Sequence, residues 1–403
     1  MLNVTTPGAL TGIRVVDLSR VLGGPYATQI LGDHGADVVK VEPPGGDETR
    51  EWGPPFRDDD GARGPSAYYL NVNRNKRGIA LDLRKADGRA ALLRLLEDAD
   101  VLVENFKIGT LEKWDIGFEE VLAPMFPGLI HCRISGFGAE GPYGGFPGYD
   151  AVVQTMTGLS SVTGSPASGP VKMGTPVIDI ASGLNAVIGI LLALRERDRT
   201  GKGQSVEVAL YDVGLSLLHP HSANWLWGRK MPQLIGNAHP NVVPYDLFQT
   251  ATRPVFLGVG NDGQVKKAFE VLGVPHLTDD PRFSTMAARN QNRIELTAIL
   301  APIFAREDGV ALARRLLEAG VPAGPLNNVQ EALDDPQTEA RAMRVETDGY
   351  KGMGSPIKLS ATPPALRRLP PDFGADTDTV LGEAGFDAEA IAALRTAGAV
   401  PAK

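Results

Sequence analysis

Cysteine is nearly absent, with Cys132 the single one in 403 residues. One thiol cannot close an internal disulfide, so a disulfide-built secreted scaffold is excluded and a reducing, cytoplasmic setting is expected. Within the apolar run Leu129-Ile130-His131-Cys132-Arg133-Ile134, the thiol is either a nucleophile or a buried, inert side chain. Histidine is sparse as well. Of the six, only His219 and His221 are close in sequence, and an i, i+2 pair on a helix does not converge on one ion, so no metal site is predicted. Positive charge is not concentrated: the net charge is −8, and Lys and Arg fall singly or in short clusters such as Arg74-Asn75-Lys76-Arg77. That pattern argues against a nucleic-acid partner while leaving room for a local cationic site facing an anionic ligand. The longest apolar run, Ile180 to Leu194, falls short of the ~20 residues a bilayer needs and contains Ser182 and Asn185, so it reads as a core helix rather than a membrane span. Met1 to Leu10 lacks the basic-then-apolar layout of a signal peptide. Two catalytic fingerprints are missing. The loop Val21-Leu22-Gly23-Gly24-Pro25 does not have Gly-x-Gly-x-x-Gly spacing, and Ile134-Ser135-Gly136-Phe137-Gly138 lacks the leading glycine of a Gly-x-Ser-x-Gly elbow.

What is present describes a chain with ample core and more than one domain: 43% of residues are hydrophobic and 22% charged. Short β-branched runs at Ile13 to Leu18, Val38 to Val41, Ile79 to Leu83, Val101 to Val103 and Leu129 to Ile134 read as strands. Helical segments near Tyr26 to Asp33, Lys85 to Glu97 and Phe118 to Ala123 alternate with them, so the fold class is α/β, a doubly wound, mostly parallel sheet. The order of the strands is not readable. Thr200 to Leu210 reads as a glycine turn feeding a strand, followed by a helix near Tyr211 to Trp227. A second unit has a strand at Val255 to Val259 and helices around Gln264 to Leu272, Arg293 to Phe304 and Val310 to Ala319. We place residues 1–225 and 326–403 in a large domain and 226–325 in a small α+β one. The proline-rich C-terminal stretch should run extended before a last helix near Asp387 to Ala397.

One carboxylate stands out. Asp179 opens the apolar run from Val177 to Leu194, among the free amide N–H groups and positive dipole end expected at a helix start. There it should stay ionised even with water excluded, which suits a carboxylate nucleophile. The same position also suits a plain helix N-cap, and the residue types alone leave both readings open.

The ordered motifs resemble those of the class III CoA-transferases, the CaiB/BaiF family, over essentially the whole chain. They are Leu-Ser-Arg-Val-Leu-Gly-Gly-Pro at 18–25, Gly-Ala-Asp-Val-Val-Lys-Val-Glu-Pro-Pro at 35–44, Asn-Arg-Asn-Lys-Arg-Gly-Ile-Ala-Leu-Asp at 73–82 and Val-Glu-Asn-Phe at 103–106. Gly148-Tyr149-Asp150, Asp179 with its helix, Thr-Gly-Lys-Gly-Gln at 200–204 and the segment Gly236 to Tyr245 add to them. Through Trp52-Gly53-Pro54-Pro55-Phe56 and the Gly236 segment, the chain resembles the branch that acts on dicarboxylic acids such as succinate and hydroxymethylglutarate.

The resemblance implies that Asp179 attacks an acyl-CoA thioester and that CoA, a substrate rather than a tightly bound cofactor, moves between two acids through anhydride and aspartyl-thioester intermediates. It implies a CoA cleft at Val21, Leu22, Leu81, Asn105, Phe106, Lys113 and Phe137, with Tyr149 near the substrate and Gly236, Asn237 and His239 in a lid. Pro43 and Ser135 stand where other branches carry basic residues, so the CoA phosphate contacts are expected to be fewer or to come from Arg50 or Arg74, and Arg50, Arg74 or His239 to meet the far carboxylate of a dicarboxylic acid. It also implies an interlocked, ring-like homodimer with its sites between large and small domains. α-Methylacyl-CoA racemases share the fold but have Gly-His-Asp where this chain has Gly148-Tyr149-Asp150. A tyrosine with pKa ~10 is a poorer acid/base partner at neutral pH than a histidine, which favours the transferase. A non-catalytic acyl-CoA binding protein is the third reading.

Overall fold

The computed structural model describes residues 7–59, 61–347 and 349–402. The chain forms two compact units. The first holds the residues up to Leu159, Lys172–Ala223 and the chain from Ala342 on; the second holds Ser160–Val171 and Asn224–Arg341. Residues 160–171, 224–225 and 326–341 thus lie in the smaller unit, not in the larger one where the sequence reading put them.

The first unit is built on six strands: β1 (Arg14–Asp17), β2 (Asp37–Glu42), β3 (Lys76–Ala80), β4 (Val101–Glu104), β5 (Ile130–Ser135) and β6 (Ser205–Ala209). Their order is β6-β5-β4-β1-β2-β3, and every neighbouring pair is parallel. Successive side chains of a strand point to opposite faces, and both faces are covered here. Val15, Val101, Val103, Ile130 and Cys132 pack on one side with Ala27, Ile30 and Leu31 of α1 (Gly23–Asp33). Val16, Val39 and Leu102 pack on the other with Leu92, Leu95 and Leu96 of α2 (Ala86–Leu96). Two-sided burial is why these strands read as unbroken apolar runs.

Three further helices matter for the site: α3 (Asp150–Met156), α4 (Val177–Thr200) and α5 (Leu210–Ser216). The helix expected over Tyr211 to Trp227 is broken. α5 ends at Ser216 and a new helix starts at His221, because Pro220 lacks an N–H for the helical ladder. Among the described residues, α4 is the one helix long and apolar enough by composition to cross a membrane; it runs well past Leu194, through Arg195-Glu196-Arg197. Ala186, Val187, Ile190, Ala193 and Leu194 bury one face of it in the core.

The second unit has a three-stranded antiparallel sheet of β7 (Tyr245–Phe248), β8 (Val255–Gly258) and β9 (Ala323–Pro325), in that order. Its helices α6 (Asp262–Val271), α7 (Arg293–Phe304) and α8 (Gly309–Glu318) bury Val265, Phe269, Leu296, Leu300, Phe304, Leu312 and Leu316 in a separate core. The C-terminal stretch is less extended than expected. It contains a hairpin, Arg344–Thr347 with Tyr350–Met353, and a helix at Thr377–Glu383 before the last helix, Ala388–Thr396.

Candidate active site

In this strand order the chain winds outward from β1 through β2 to β3, then crosses back to β4 on the other side of β1 and winds outward through β5 to β6, so the direction reverses between β1 and β4. A parallel sheet opens a crevice at the carboxyl ends of its strands where such a reversal occurs. A cavity of about 270 Å³ lies there, lined by Arg20–Gly23 after β1, Asn105–Ile108 after β4, Ile134–Gly136 at the end of β5, Gly145–Tyr149, Glu48, Leu210 and Asp179.

Glycines bring Asp179 to this crevice. A Cβ on Gly183 would stand 2.7 Å from the Gly23 carbonyl oxygen, and one on Gly23 would stand 3.2 Å from that of Asp179, so the first turns of α1 and α4 touch backbone to backbone. Gly136 and Gly148 do the same for the 145–149 loop: a Cβ on Gly136 would meet the Gly148 nitrogen at 2.6 Å. Val21, a β-branched residue, is held at φ 69°, a left-handed conformation that costs energy and tends to occur at functional sites.

The loop between β1 and α1 is clamped from below by buried charges. Lys40 Nζ donates to the Ser19 carbonyl at 2.9 Å and to Asp47 at 3.0 Å. Lys76 Nζ donates to the Pro25 carbonyl at 2.9 Å, to Asn73 at 2.9 Å and to Asp17 at 3.1 Å. Asp17 also accepts from Ser19 N–H at 2.9 Å and from the Thr28 hydroxyl at 2.6 Å. Burial pulls the Lys76 ammonium down to about 8, while Asp17 is held below its ordinary value because Lys76, Lys40 and the two hydroxyls outweigh its burial.

Asp179 occupies the third position of α4, and the cap position is Pro176, which offers no side-chain bond. The plain N-cap reading is therefore wrong. The capping falls to Asp150, whose Oδ2 accepts from Ile178 N–H at 2.8 Å and Asp179 N–H at 3.2 Å, and whose Oδ1 accepts from Gln154 Nε2 at 2.5 Å. Gln154 Oε1 in turn accepts from Met173 N–H at 2.8 Å, tying down the approach to α4. Among the described residues the Asp179 carboxylate itself has no hydrogen-bond or ion-pair partner. Burial, with the Asp150 charge second, raises its pKa to about 7, so the expectation of a firmly ionised group also fails.

The cavity brings together Val21, Leu22, Asn105, Phe106, Tyr149 and Asp179 from the sequence reading. The Asn105 amide is spent on backbone, accepting from Arg20 N–H at 2.9 Å and donating to the Arg20 carbonyl at 2.7 Å. Leu81 is not at the cavity; it is a core residue, 1% exposed. Lys113 is exposed on a short helix outside the lining, and Phe137 packs against Tyr143 and Tyr211. Neither Arg50 nor Arg74 is available to a ligand. Arg50 bonds Glu42 through both Nε and Nη2 and stacks on Tyr69, and Arg74 forks onto Asp33. Pro43 accepts the turn bond from Gly46 N–H, and Ser135 Oγ accepts from Gly138 N–H at 3.0 Å.

Gly236, Asn237 and His239 belong to the second unit. Gly236 (φ 65°) donates to the Gly164 carbonyl, and His239 Nδ1 accepts from Asn241 N–H at 3.0 Å with its ring edge-on to Tyr245. Cys132 is fully buried and its thiol is pushed up to about 12 by burial and Glu104, which removes it as a nucleophile. Among the described residues no three His, Cys, Asp or Glu side chains gather to hold a metal ion. Sequence reasoning missed Arg20, Glu48 and Lys107 in the lining, the Asp150 cap, and Tyr68. The Tyr68 phenol is pushed up to about 12 by burial and the negative charges of Asp179, Asp150 and Asp47. Arg20 sits in the motif at 18–25, and its nearness to the glycine loop was the available signal.

Residues 10–377 match the family model described as CoA-transferase family III. The chain is 42% identical over 381 residues to the succinate–glutarate CoA-transferase of Agrobacterium fabrum, covering 93% of this chain and 95% of that one. It is 40% identical over 362 residues to the acetyl-CoA:oxalate CoA-transferase of Acetobacter aceti, covering 88% and 91%. A crystal structure of a CaiB/BaiF family protein from Brucella suis superposes with a TM-score of 0.84 at 42% identity, over 94% of this chain and 100% of the other.

Proposed function

The chain belongs to CoA-transferase family III, and with that as premise we propose that Asp179 is the group that carries the acyl unit. The observation that carries this reading is an unpartnered carboxylate with a pKa raised to about 7, lining a cavity at the switch point of the sheet. Basicity of that order makes a carboxylate a better nucleophile while leaving much of it ionised at neutral pH.

An Asp179 oxygen attacks the thioester carbonyl of the donor, the C–S bond breaks, and CoA leaves as thiolate from the mixed anhydride. The thiolate then attacks the aspartyl carbonyl of that anhydride, expelling the donor acid and leaving an aspartyl-CoA thioester. The acceptor carboxylate attacks this thioester and expels the thiolate, which takes the acceptor acyl group from the second anhydride and frees Asp179. Val21, Leu22 and Phe106 supply apolar lining that keeps water from the anhydrides. Succinyl-CoA is the donor and a dicarboxylic acid the acceptor on this reading. The donor is supported by the succinate–glutarate relative's name; the dicarboxylate acceptor is supported by that name and by the oxalate of the Acetobacter relative, whose named donor is acetyl-CoA. The racemase and pure binding readings are not favoured, since these relatives are named CoA-transferases.

A homodimer belongs to the same proposal. Leu184, Ile188, Leu191 and Leu192 form an apolar stripe on α4, 39%, 55%, 41% and 67% exposed. A stripe of that spacing suits a covered surface, here a second copy of the chain. Light scattering should give twice the chain mass; a folded monomer would remove this part.

The test of the catalytic reading is turnover with succinyl-CoA and a panel of mono- and dicarboxylic acids, for the wild type and Asp179→Ala. We expect dicarboxylates to be preferred and the variant to lose at least about 10³-fold in rate, as for removal of a covalent nucleophile. Undiminished turnover in the variant refutes the role of Asp179, and acceptance of monocarboxylates alone refutes the substrate class.

A further inference from the structure

We infer that Arg20 is the anion-binding residue of this cavity, its guanidinium taking a carboxylate or phosphate oxyanion of the bound substrates. The inference rests on reading the cavity as the acyl-CoA site and adds to it a residue of the 18–25 motif to which no role had been given.

Arg20 is fixed before any ligand arrives. Its N–H and carbonyl are both held by the Asn105 amide, and its guanidinium carbon lies 5.8 Å from the centre of the Phe106 ring. The charged end is left without a partner. Arg20 Nε is buried with no hydrogen bond, and among the described residues the guanidinium makes no ion pair. A buried N–H without a partner is rare in a folded protein and calls for an explanation. The other arginines near the carboxyl ends of these strands are committed: Arg50 to Glu42 and Arg133 to Glu104. Arg20 is not, and it faces the same cavity as Asp179.

The chemistry of the cavity needs such a cation. Asp179 and Glu48 both line it, while acyl-CoA and carboxylic acids are themselves anions, so an approaching ligand meets like charge. A planar guanidinium can hold a carboxylate or a phosphate through two parallel N–H bonds. Lys107, exposed on the same lining, adds a second positive charge on a flexible stem. Two sources of oxyanion are open, the far carboxylate of a dicarboxylic acid and a phosphate of CoA, and they are separable by experiment.

Arg20→Met and Arg20→Lys are compared with the wild type. Titration calorimetry uses coenzyme A and pantetheine, which lacks the phosphates. Kinetics use succinyl-CoA with glutarate or with valerate, its five-carbon monocarboxylate counterpart. If the oxyanion is phosphate, CoA affinity falls about 10- to 100-fold in Arg20→Met, the span expected for one charge-assisted bond, and pantetheine binding stays put. If it is the far carboxylate, CoA binding holds while kcat/KM for glutarate falls by about the same factor and valerate changes no more than about threefold. Arg20→Lys should recover part of either loss, since lysine keeps the charge without the fork. Neither readout moving by threefold in Arg20→Met overturns the inference. Because the guanidinium makes no internal bond, melting curves should match the wild type, and Arg20→Lys still reads the charge if Arg20→Met does not fold. The CoA titration stands apart from turnover, so a failure of Asp179 as nucleophile leaves this test intact.

Discussion

Replacing Asp150 with asparagine separates the two influences on Asp179. The Asp179 pKa stands about three units above its ordinary 3.8, with burial the larger cause and the Asp150 charge the smaller. Asp150 therefore accounts for the smaller part of the rise. In Asp150→Asn an amide oxygen can still accept from Ile178 and Asp179 N–H, so α4 keeps its cap and burial is unchanged. The new amide nitrogen faces the Gln154 donor, which costs about 1 kcal/mol of stability, one ordinary hydrogen bond. Protonated Asp179 is not a nucleophile, so kcat/KM should rise with pH through an acidic limb near 7 in the wild type. In the variant that limb should move to lower pH, by less than half of the total rise, because a neighbouring negative charge has been removed and burial is unchanged. The assay is kcat/KM against pH with one donor and acceptor pair for both proteins. A limb that stays in place or moves upward would refute the argument, whereas a uniform drop in rate would mean that Asp150 only holds the helix.

The other predictions concern stability and packing. Ionising Asp179 in the folded chain is unfavourable, because its folded pKa lies above the unfolded one; stability is full below about 4 and is lost as pH rises to 7. Asp179→Asn should therefore be more stable than the wild type at pH ~8, by about 1–3 kcal/mol once its partial exposure is allowed for, and match the wild type at pH ~4. Thermal melts at the two pH values decide it, and equal shifts at both would contradict it. Gly183→Ala places a Cβ 2.7 Å from the Gly23 carbonyl and should push α4 off α1, losing about 1–3 kcal/mol and most of the activity; a fully active variant would show that the close approach is not needed. Lys76→Met leaves Asp17 with a buried charge stripped of one partner and takes one of its donors from the Pro25 carbonyl, and should cost about 3–5 kcal/mol in chemical denaturation. A loss under about 1 kcal/mol would mean that the buried cluster does not clamp the loop.

The sheet was legible because two-sided burial writes itself into composition. Val101-Leu102-Val103 is apolar at every position since each side chain meets a core, on one face or the other. Strand order was not, because apolarity says that a strand is buried and nothing about which neighbour it takes. The Arg74-Asn75-Lys76-Arg77 cluster looked like surface charge with room for a ligand, yet all four residues are at most 6% exposed and each basic one is matched to a carboxylate. Those carboxylates lie tens to hundreds of residues away, beyond the reach of local pattern. The Asp179 pKa was misjudged for the same reason: the N–H groups at the start of α4 are taken by Asp150, 28 residues before Ile178, leaving the nearer carboxylate desolvated and uncapped. Linear motif matching also carried Leu81 into the cleft, although its neighbour in space is the core beneath the sheet.

The account turns on a covalent bond to one oxygen. Protein mixed with succinyl-CoA and quenched with hydroxylamine, then digested and read by mass spectrometry, should carry a hydroxamate on Asp179 and on no other carboxylate. An unmodified Asp179 in a sample that demonstrably moves CoA between acids would contradict it.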